Sequence, residues 1–171
     1  MGVFAISDLH VDYRENLQWV NALSDRDYQG NALILAGDIS HKLSRVQGVF
    51  ETLMRKFARV FFVPGNHDLW VRNYEEGHSL DKLNRLVILC EQCGVETRDA
   101  RVGDHWVAPL YSWYRLPEQG PDSLYVPKPG DDATLRVWSD NLFAKFPIPA
   151  ENVTDYFLNL NNPPPPSVDA S

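Results

Sequence analysis

Three short apolar runs, Val3-Phe4-Ala5-Ile6, Ala32-Leu33-Ile34-Leu35-Ala36 and Val60-Phe61-Phe62-Val63, alternate with stretches whose apolar residues recur at helical spacing. Runs of this length with β-branched and aromatic content are too short for helices and match strands buried in a parallel sheet. Between the first two runs, Leu17, Val20 and Ala22/Leu23 predict a helix reaching about Tyr28, with Gly30-Asn31 as its stop. Val46, Val49/Phe50, Leu53/Met54 and Phe57 predict a second helix, with Ser44 and Gln47 spaced as a capping box. After the third run, Ser79 is the expected N-cap of a helix through Leu80, Leu83, Leu86/Val87 and Cys90, closed by Gly94. This β-α-β-α-β-α order constrains the fold more than any other feature. Right-handed crossovers then place helices on the faces of a mostly parallel sheet.

In such sheets the functional crevice lies beyond the carboxyl ends of the strands. The three ends read Ser7-Asp8-Leu9-His10-Val11-Asp12, Gly37-Asp38-Ile39-Ser40-His41 and Gly65-Asn66-His67-Asp68. A turn calls for Gly, Ser, Asn or Asp, but nothing about a turn calls for histidine at all three ends. Carboxylates and imidazoles converging from neighbouring strands form a metal constellation suited to Zn, Fe or Mn, and Asn66 adds a neutral oxygen. Asp8 and His10, two residues apart, are expected to point the same way, and Asp38 is placed to bridge two ions. Gly37 and Gly65 let the backbone turn tightly and approach the metals. Asp68 either orients the His67 ring or caps the following turn.

The D-x-H of Asp8 and His10, the G-D of Gly37-Asp38 and the G-N-H-D of Gly65 to Asp68 resemble, in order and position, the calcineurin-like metallophosphoesterases. That resemblance implies an α/β fold, a β-sandwich flanked by helices. It implies a dinuclear centre in which Asp8, His10 and Asp38 hold one ion while Asp38 and Asn66 hold the other. It implies that His67 is the catalytic residue that stabilises the phosphoryl transition state or protonates the leaving oxygen. The expected reaction is hydrolysis of a phosphate mono- or diester by a hydroxide that the two ions generate at neutral pH. A haloacid-dehalogenase-type phosphatase would need a second Asp where His10 stands. In the resembled family a G-H and a G-H-x-H motif follow, whereas the five histidines here end at His105. The chain therefore reads as the N-terminal portion of such a domain, truncated on its C-terminal side. His41, three residues beyond Asp38, is a candidate substitute ligand; His78 reads as a loop residue and His105 as part of a strand. The alternative function is a catalytically weak or inactive binding or regulatory protein that keeps half of the site.

At 171 residues the chain predicts one domain over residues 1–160, followed by a Pro-rich disordered tail over 161–171. A net charge of −7 provides no basic field for nucleic acid or anionic lipid, and no apolar stretch reaches membrane-spanning length. The N-terminus lacks a signal-peptide pattern, so a cytoplasmic location is expected. Cys90 and Cys93 spell C-x-x-C without a second pair, at a helix C-terminus where the dipole disfavours thiolate, and read as reduced packing residues. Two short strands are expected around Gly103-Asp104, then a packed aromatic cluster of Tyr111, Trp113 and Tyr114. An irregular Pro- and Gly-containing excursion over 115–150 precedes a last helix through Leu160. Without a second sheet to cover it, the first sheet would leave apolar surface and a strand edge exposed, inviting self-association.

Overall fold

The computed structural model describes residues 1–72, 77–115, 128–130 and 138–161. Beyond Asn161, which bonds the Tyr111 backbone through both ends of its amide, the expected Pro-rich tail lies outside the described residues, as does much of the expected excursion. Strands β1 (Val3–Ile6), β2 (Ala32–Ala36) and β3 (Arg59–Val63) form a parallel sheet in the order β1-β2-β3. Pairing Ile6 with Leu35 and Ala36 with Val63 brings the three carboxyl ends to one edge. Helices α1 (Arg14–Ala22), α2 (Leu43–Lys56) and α3 (Ser79–Cys93) follow the strands, as the periodicity predicts. A short 3-10 turn, His67–Leu69, lies beyond β3.

Side chains alternate across the sheet. Leu33, Leu35, Val60 and Phe62 face a core filled by Val46, Val49, Phe50 and Leu53 of α2 and Leu83, Leu86 and Cys90 of α3. The opposite face carries Ala32, Ile34 and Phe61, covered by Ala100, Val102 and Val107 of a hairpin. That antiparallel hairpin comprises β4 (Ala100–Val102) and β5 (His105–Val107), turning at Gly103-Asp104 as predicted but with shorter strands. Helices α4 (Ser139–Phe143) and α5 (Ala150–Asn159) close the described chain. Val153 and Phe157 of α5 enter the main core, where Phe157 meets Trp113 of the expected aromatic cluster at 5.5 Å between ring centres.

Four expectations change. Strand β1 is not buried: it is an edge strand in this sheet, with Val3 and Phe4 exposed. Helix α1 ends at Ala22 rather than near Tyr28, because the Ser24 hydroxyl accepts the N–H groups of Arg26 and Asp27 in a competing turn. The buried Lys56 ammonium fixes that exit through the Leu23 carbonyl and Asp25. The capping box at Ser44 and Gln47 does not form. Helix α2 begins two residues earlier, with Lys42 at its N-cap, and Gln47 bonds Glu51 instead. Finally, His78 rather than Ser79 caps α3: its Nδ1 accepts the Asp81 N–H while the Asp81 carboxylate accepts the His78 N–H. The Ser79 hydroxyl is occupied elsewhere, donating to the Leu69 carbonyl and accepting the Lys145 N–H.

Candidate metal centre

The strand-end loops are held together by one carboxylate. Asp68 is fully buried and accepts four backbone N–H groups: Gly65 (3.0 Å), Asp38 (2.7 Å), Ile39 (2.8 Å) and Ser40 (3.0 Å). Burial pushes its carboxyl up to about 6, against the opposing pull of the Gly65, Ser40 and Ile39 donors. Asp68 therefore clasps the loop after β2 to the loop after β3, a role in the backbone rather than on the His67 ring. The glycines serve the same closure. A Cβ on Gly37 would collide with the Gly65 backbone, and one on Gly65 with the Asp38 carboxylate. Gly37 also has φ near +78°, in the left-handed region that glycine enters without penalty.

Asp8 (φ 56°), His10 (φ 40°) and Asp38 (φ 58°) take the left-handed conformation despite their side chains. Each costs on the order of 1–3 kcal/mol, and such residues persist only where surrounding bonds over-determine them. Here Asp8 donates its N–H to the Gly37 carbonyl (3.2 Å), and His10 donates to the Asp38 carbonyl (2.9 Å). Asp8 and His10 do face one another, with His10 Nε2 3.8 Å from Asp8 Oδ1. Their shared direction comes from these left-handed turns rather than from strand alternation. Asp38 adds its carboxylate, and Oδ1 accepts the His67 N–H at 2.9 Å.

Two groups of ligand-type atoms result. Asp8, His10 and Asp38 offer one atom each within 4.8 Å of one another, and so do Asp12, His41 and His67. His41 thus joins the second group rather than the first. The groups meet where His10 Nδ1 and His67 Nδ1 lie 2.8 Å apart, so one ring donates and the other accepts. His67 Nε2 faces Asp12 Oδ2 at 3.7 Å, and His41 Nδ1 lies 3.5 Å from that oxygen. Arg45 and the Ser40 hydroxyl both donate to Asp12 Oδ1 at 3.1 Å. Asp12 Oδ2, which faces His67, and His41 Nδ1, which faces Asp12, are buried polar atoms without a hydrogen-bond partner. An open pocket of about 450 Å³ lies against His67, His41 and Asp12, with Tyr13, Trp70 and Arg72 on its walls.

The electrostatics separate these groups. Burial is the main force that lowers His67 to about 4, with the neighbouring His10 adding to it and Asp12 opposing it. His41 is also lowered, chiefly by burial. Asp38 is raised, chiefly by burial and further by the nearby Asp8 and Asp140 charges. A half-buried carboxylate raised in this way, with carboxylate and imidazole atoms gathered around it, fits a divalent cation on charge and donor type.

Two site residues escaped the sequence reasoning. Asp12 stood in the first strand-end motif but received no role. Asp140, from α4, is buried and accepts Asn66 Nδ2 at 2.9 and 3.1 Å and Trp70 Nε1 at 2.5 Å. Trp70 in turn packs edge-on against His67, with 4.2 Å between ring centres. Nothing local marks Asp140 as a partner of a residue 74 positions earlier. His78 and His105 belong to neither group; His78 is a helix cap and His105 lies in β5.

Both cysteines are free; burial pushes the Cys90 thiol up to about 12 and raises Cys93 as well, which suits packing rather than redox chemistry. Among the described residues no helix is long and apolar enough to cross a membrane.

A family model for calcineurin-like phosphoesterases matches residues 1–168. An acyl-carrier-protein phosphodiesterase, PptH of Mycobacterium tuberculosis, is 32% identical over 131 residues, spanning 68% of this chain and 39% of that protein. A crystal structure of phosphopantetheinyl hydrolase PptH from the same organism superposes with a TM-score of 0.62 at 25% identity. That match covers 86% of this chain and 57% of the solved one. The chain thus spans less than two thirds of either relative.

Proposed function

The chain belongs to the calcineurin-like phosphoesterase family, and on that premise we propose that it hydrolyses a phosphodiester with the help of two bound metal ions. The observation that carries this reading is the convergence of Asp8, His10 and Asp38 within 4.8 Å at the carboxyl edge of the sheet. Asp8, His10 and Asp38 would hold one ion, and Asp38 and Asn66 the other, with Mn, Fe or Zn all compatible with these donors. When bound, the ions supply Lewis acidity that offsets phosphoryl charge and makes water nucleophilic at neutral pH.

The remaining chemistry belongs to the chain. His67 lies against His10, so its ring borders the place where a phosphoryl group would sit. Its lowered proton affinity keeps the resting ring neutral at pH 7, a hydrogen-bond donor rather than a fixed cation. Asp12, on its Nε2 side, opposes the effect of burial and helps the ring take up a proton from solvent, which the ring then passes to the leaving oxygen as it returns to neutral. His67 is therefore assigned to donate to that oxygen, with the pocket beside it taking the leaving group.

The similarity to an acyl-carrier-protein phosphodiesterase and phosphopantetheinyl hydrolase supports a phosphopantetheinyl phosphodiester on a carrier protein as substrate. The chain's net charge of −7 disfavours nucleic acid. A cytoplasmic setting agrees with two cysteines that remain unpaired. The surface that would support self-association is the β1 edge, where Val3 and Phe4 are exposed.

The test compares wild type with His67→Asn on aryl phosphate mono- and diesters with added manganese. Turnover is expected to fall by a factor on the order of 10² to 10⁴, with metal content nearly unchanged and a larger loss for poor leaving groups. Loss of metal from the variant would make His67 a ligand. Two tightly held ions with no turnover in wild type would favour the catalytically inactive, regulatory reading.

A further inference from the structure

Asn66 can serve as a metal ligand only through its amide oxygen, because the amide nitrogen is a donor. Nothing in Asn66 itself decides which end faces the site, since a half-turn of the amide exchanges the two. The deciding group is Asp140. An ionised carboxylate only accepts hydrogen bonds, so the amide end pointing at it must be Nδ2, and both Asp140 oxygens lie within 3.1 Å of that atom. With Nδ2 held there, Oδ1 is the end left for a cation.

We propose that Asp140 is the positioning residue of the second metal site: it locks the Asn66 amide with its oxygen toward Asp38 and fixes the Trp70 indole against His67. This rests on the two-ion reading above. Three features of the geometry support it. Asp140 is only 2% exposed, so water does not compete for its oxygens. Its bonds go to Asn66 and Trp70, which flank His67 in the sequence and serve the same site. Its helix and the residues just after it are tied to the site by backbone as well, through the Val71 N–H to the Phe143 carbonyl (2.8 Å) and the Ser79 N–H to the Lys145 carbonyl (2.7 Å). The Trp70 ring also packs on Phe143 at 5.5 Å, so α4 arrives with a fixed orientation.

Asp140→Asn is nearly isosteric but presents one oxygen and one NH2 group, so it no longer dictates the Asn66 orientation. In a manganese titration of the 171-residue chain, wild type is expected to bind two ions. Asp140→Asn should weaken the second about 10- to 100-fold and leave the first unchanged, the range seen for groups that orient metal ligands. The exchange Asn66→Asp/Asp140→Asn, which puts the carboxylate on the metal side and the amide behind it, should recover second-ion binding relative to Asp140→Asn. A purely structural role would not give that recovery. A second readout needs no metal: the Asn66 side-chain NH2 protons should be slow to exchange in wild type and fast in Asp140→Asn. Should Asp140→Asn not fold, Asp140→Glu, which moves the carboxylate by one methylene, takes its place in both measurements. Two ions bound by wild type and by the variant with equal affinity would overturn the positioning role alone. A wild type that binds no second ion would overturn the two-ion reading and this inference with it.

Discussion

The β/α half of the chain and the segment after β5 each send one buried carboxylate to the same site, and the two are held in opposite ways. Asp68 sits three residues beyond Gly65 and is gripped by four backbone N–H groups of two adjacent loops. Asp140 comes from a five-residue helix and is gripped by two side chains, Asn66 and Trp70. Backbone donors cannot turn away, so Asp68 determines whether the strand-end loops close at all. Side-chain donors can rotate toward water, so Asp140 governs how a formed site is oriented. The first carboxylate builds the scaffold and the second aligns it.

The strongest way to break this contrast is to remove each carboxylate in turn. Asp68→Ala leaves four N–H groups without an acceptor, and at about 1–3 kcal/mol for each unsatisfied buried group the loss approaches the whole stability of a domain. Little folded protein is expected by circular dichroism. Asp140→Ala should cost only about 1–3 kcal/mol, because Asn66 and Trp70 can re-solvate. Equal losses for the two in urea titrations would dissolve the distinction.

That contrast also explains what was legible in the sequence. Strands β1 to β3 and their helices follow from apolar spacing, which is a local signal, and Asp8, His10, Asp38, Asn66 and His67 lie at strand ends that the alternation itself locates. Caps were less legible because hydroxyls have competing partners: the Ser79 hydroxyl spans Leu69 and Lys145, leaving the cap to His78. The exposure of β1 depends on which strands pair beside it, and its own four residues carry no sign of that. Asp12 faces His67, 55 positions along the chain, and Asp140 faces Asn66 across 74; no spacing rule reaches that far.

A smaller effect asks whether the C-terminal segment is part of the core or an appendage. Phe157 is 2% exposed and shares a cluster with sheet and helix residues of the first half. Phe157→Ala is therefore expected to cost about 3 kcal/mol, the low end for a buried aromatic, with a single unfolding transition by fluorescence and circular dichroism alike. An unchanged midpoint, or a separate early transition confined to tryptophan fluorescence, would make residues 138–161 an annex. Asp140 would then align the site only while that annex is docked.

The smallest effect uses pH to tell the two regions apart in metal-free protein. His67 is held neutral in the fold down to about 4, mainly by burial, whereas the unfolded ring takes up a proton near 6.5. Between those values unfolding binds a proton, so stability contributed by the neutral ring is present above about 6.5 and is lost as pH falls toward 4. His67→Asn lacks this linkage. The stability difference, wild type minus His67→Asn, should thus shrink by an amount on the order of 2 kcal/mol between pH 7 and pH 4 and then level off. Phe157→Ala carries no titrating group, so its difference from wild type should stay flat over the same range. Urea titrations at four or five pH values measure both curves. If the two differences run parallel, His67 is not a buried neutral imidazole, and its assignment as the donor to the leaving oxygen loses its electrostatic basis. If only the His67 curve bends, the pH-sensitive chemistry lies with the strand-end loops and the C-terminal segment contributes packing and alignment alone.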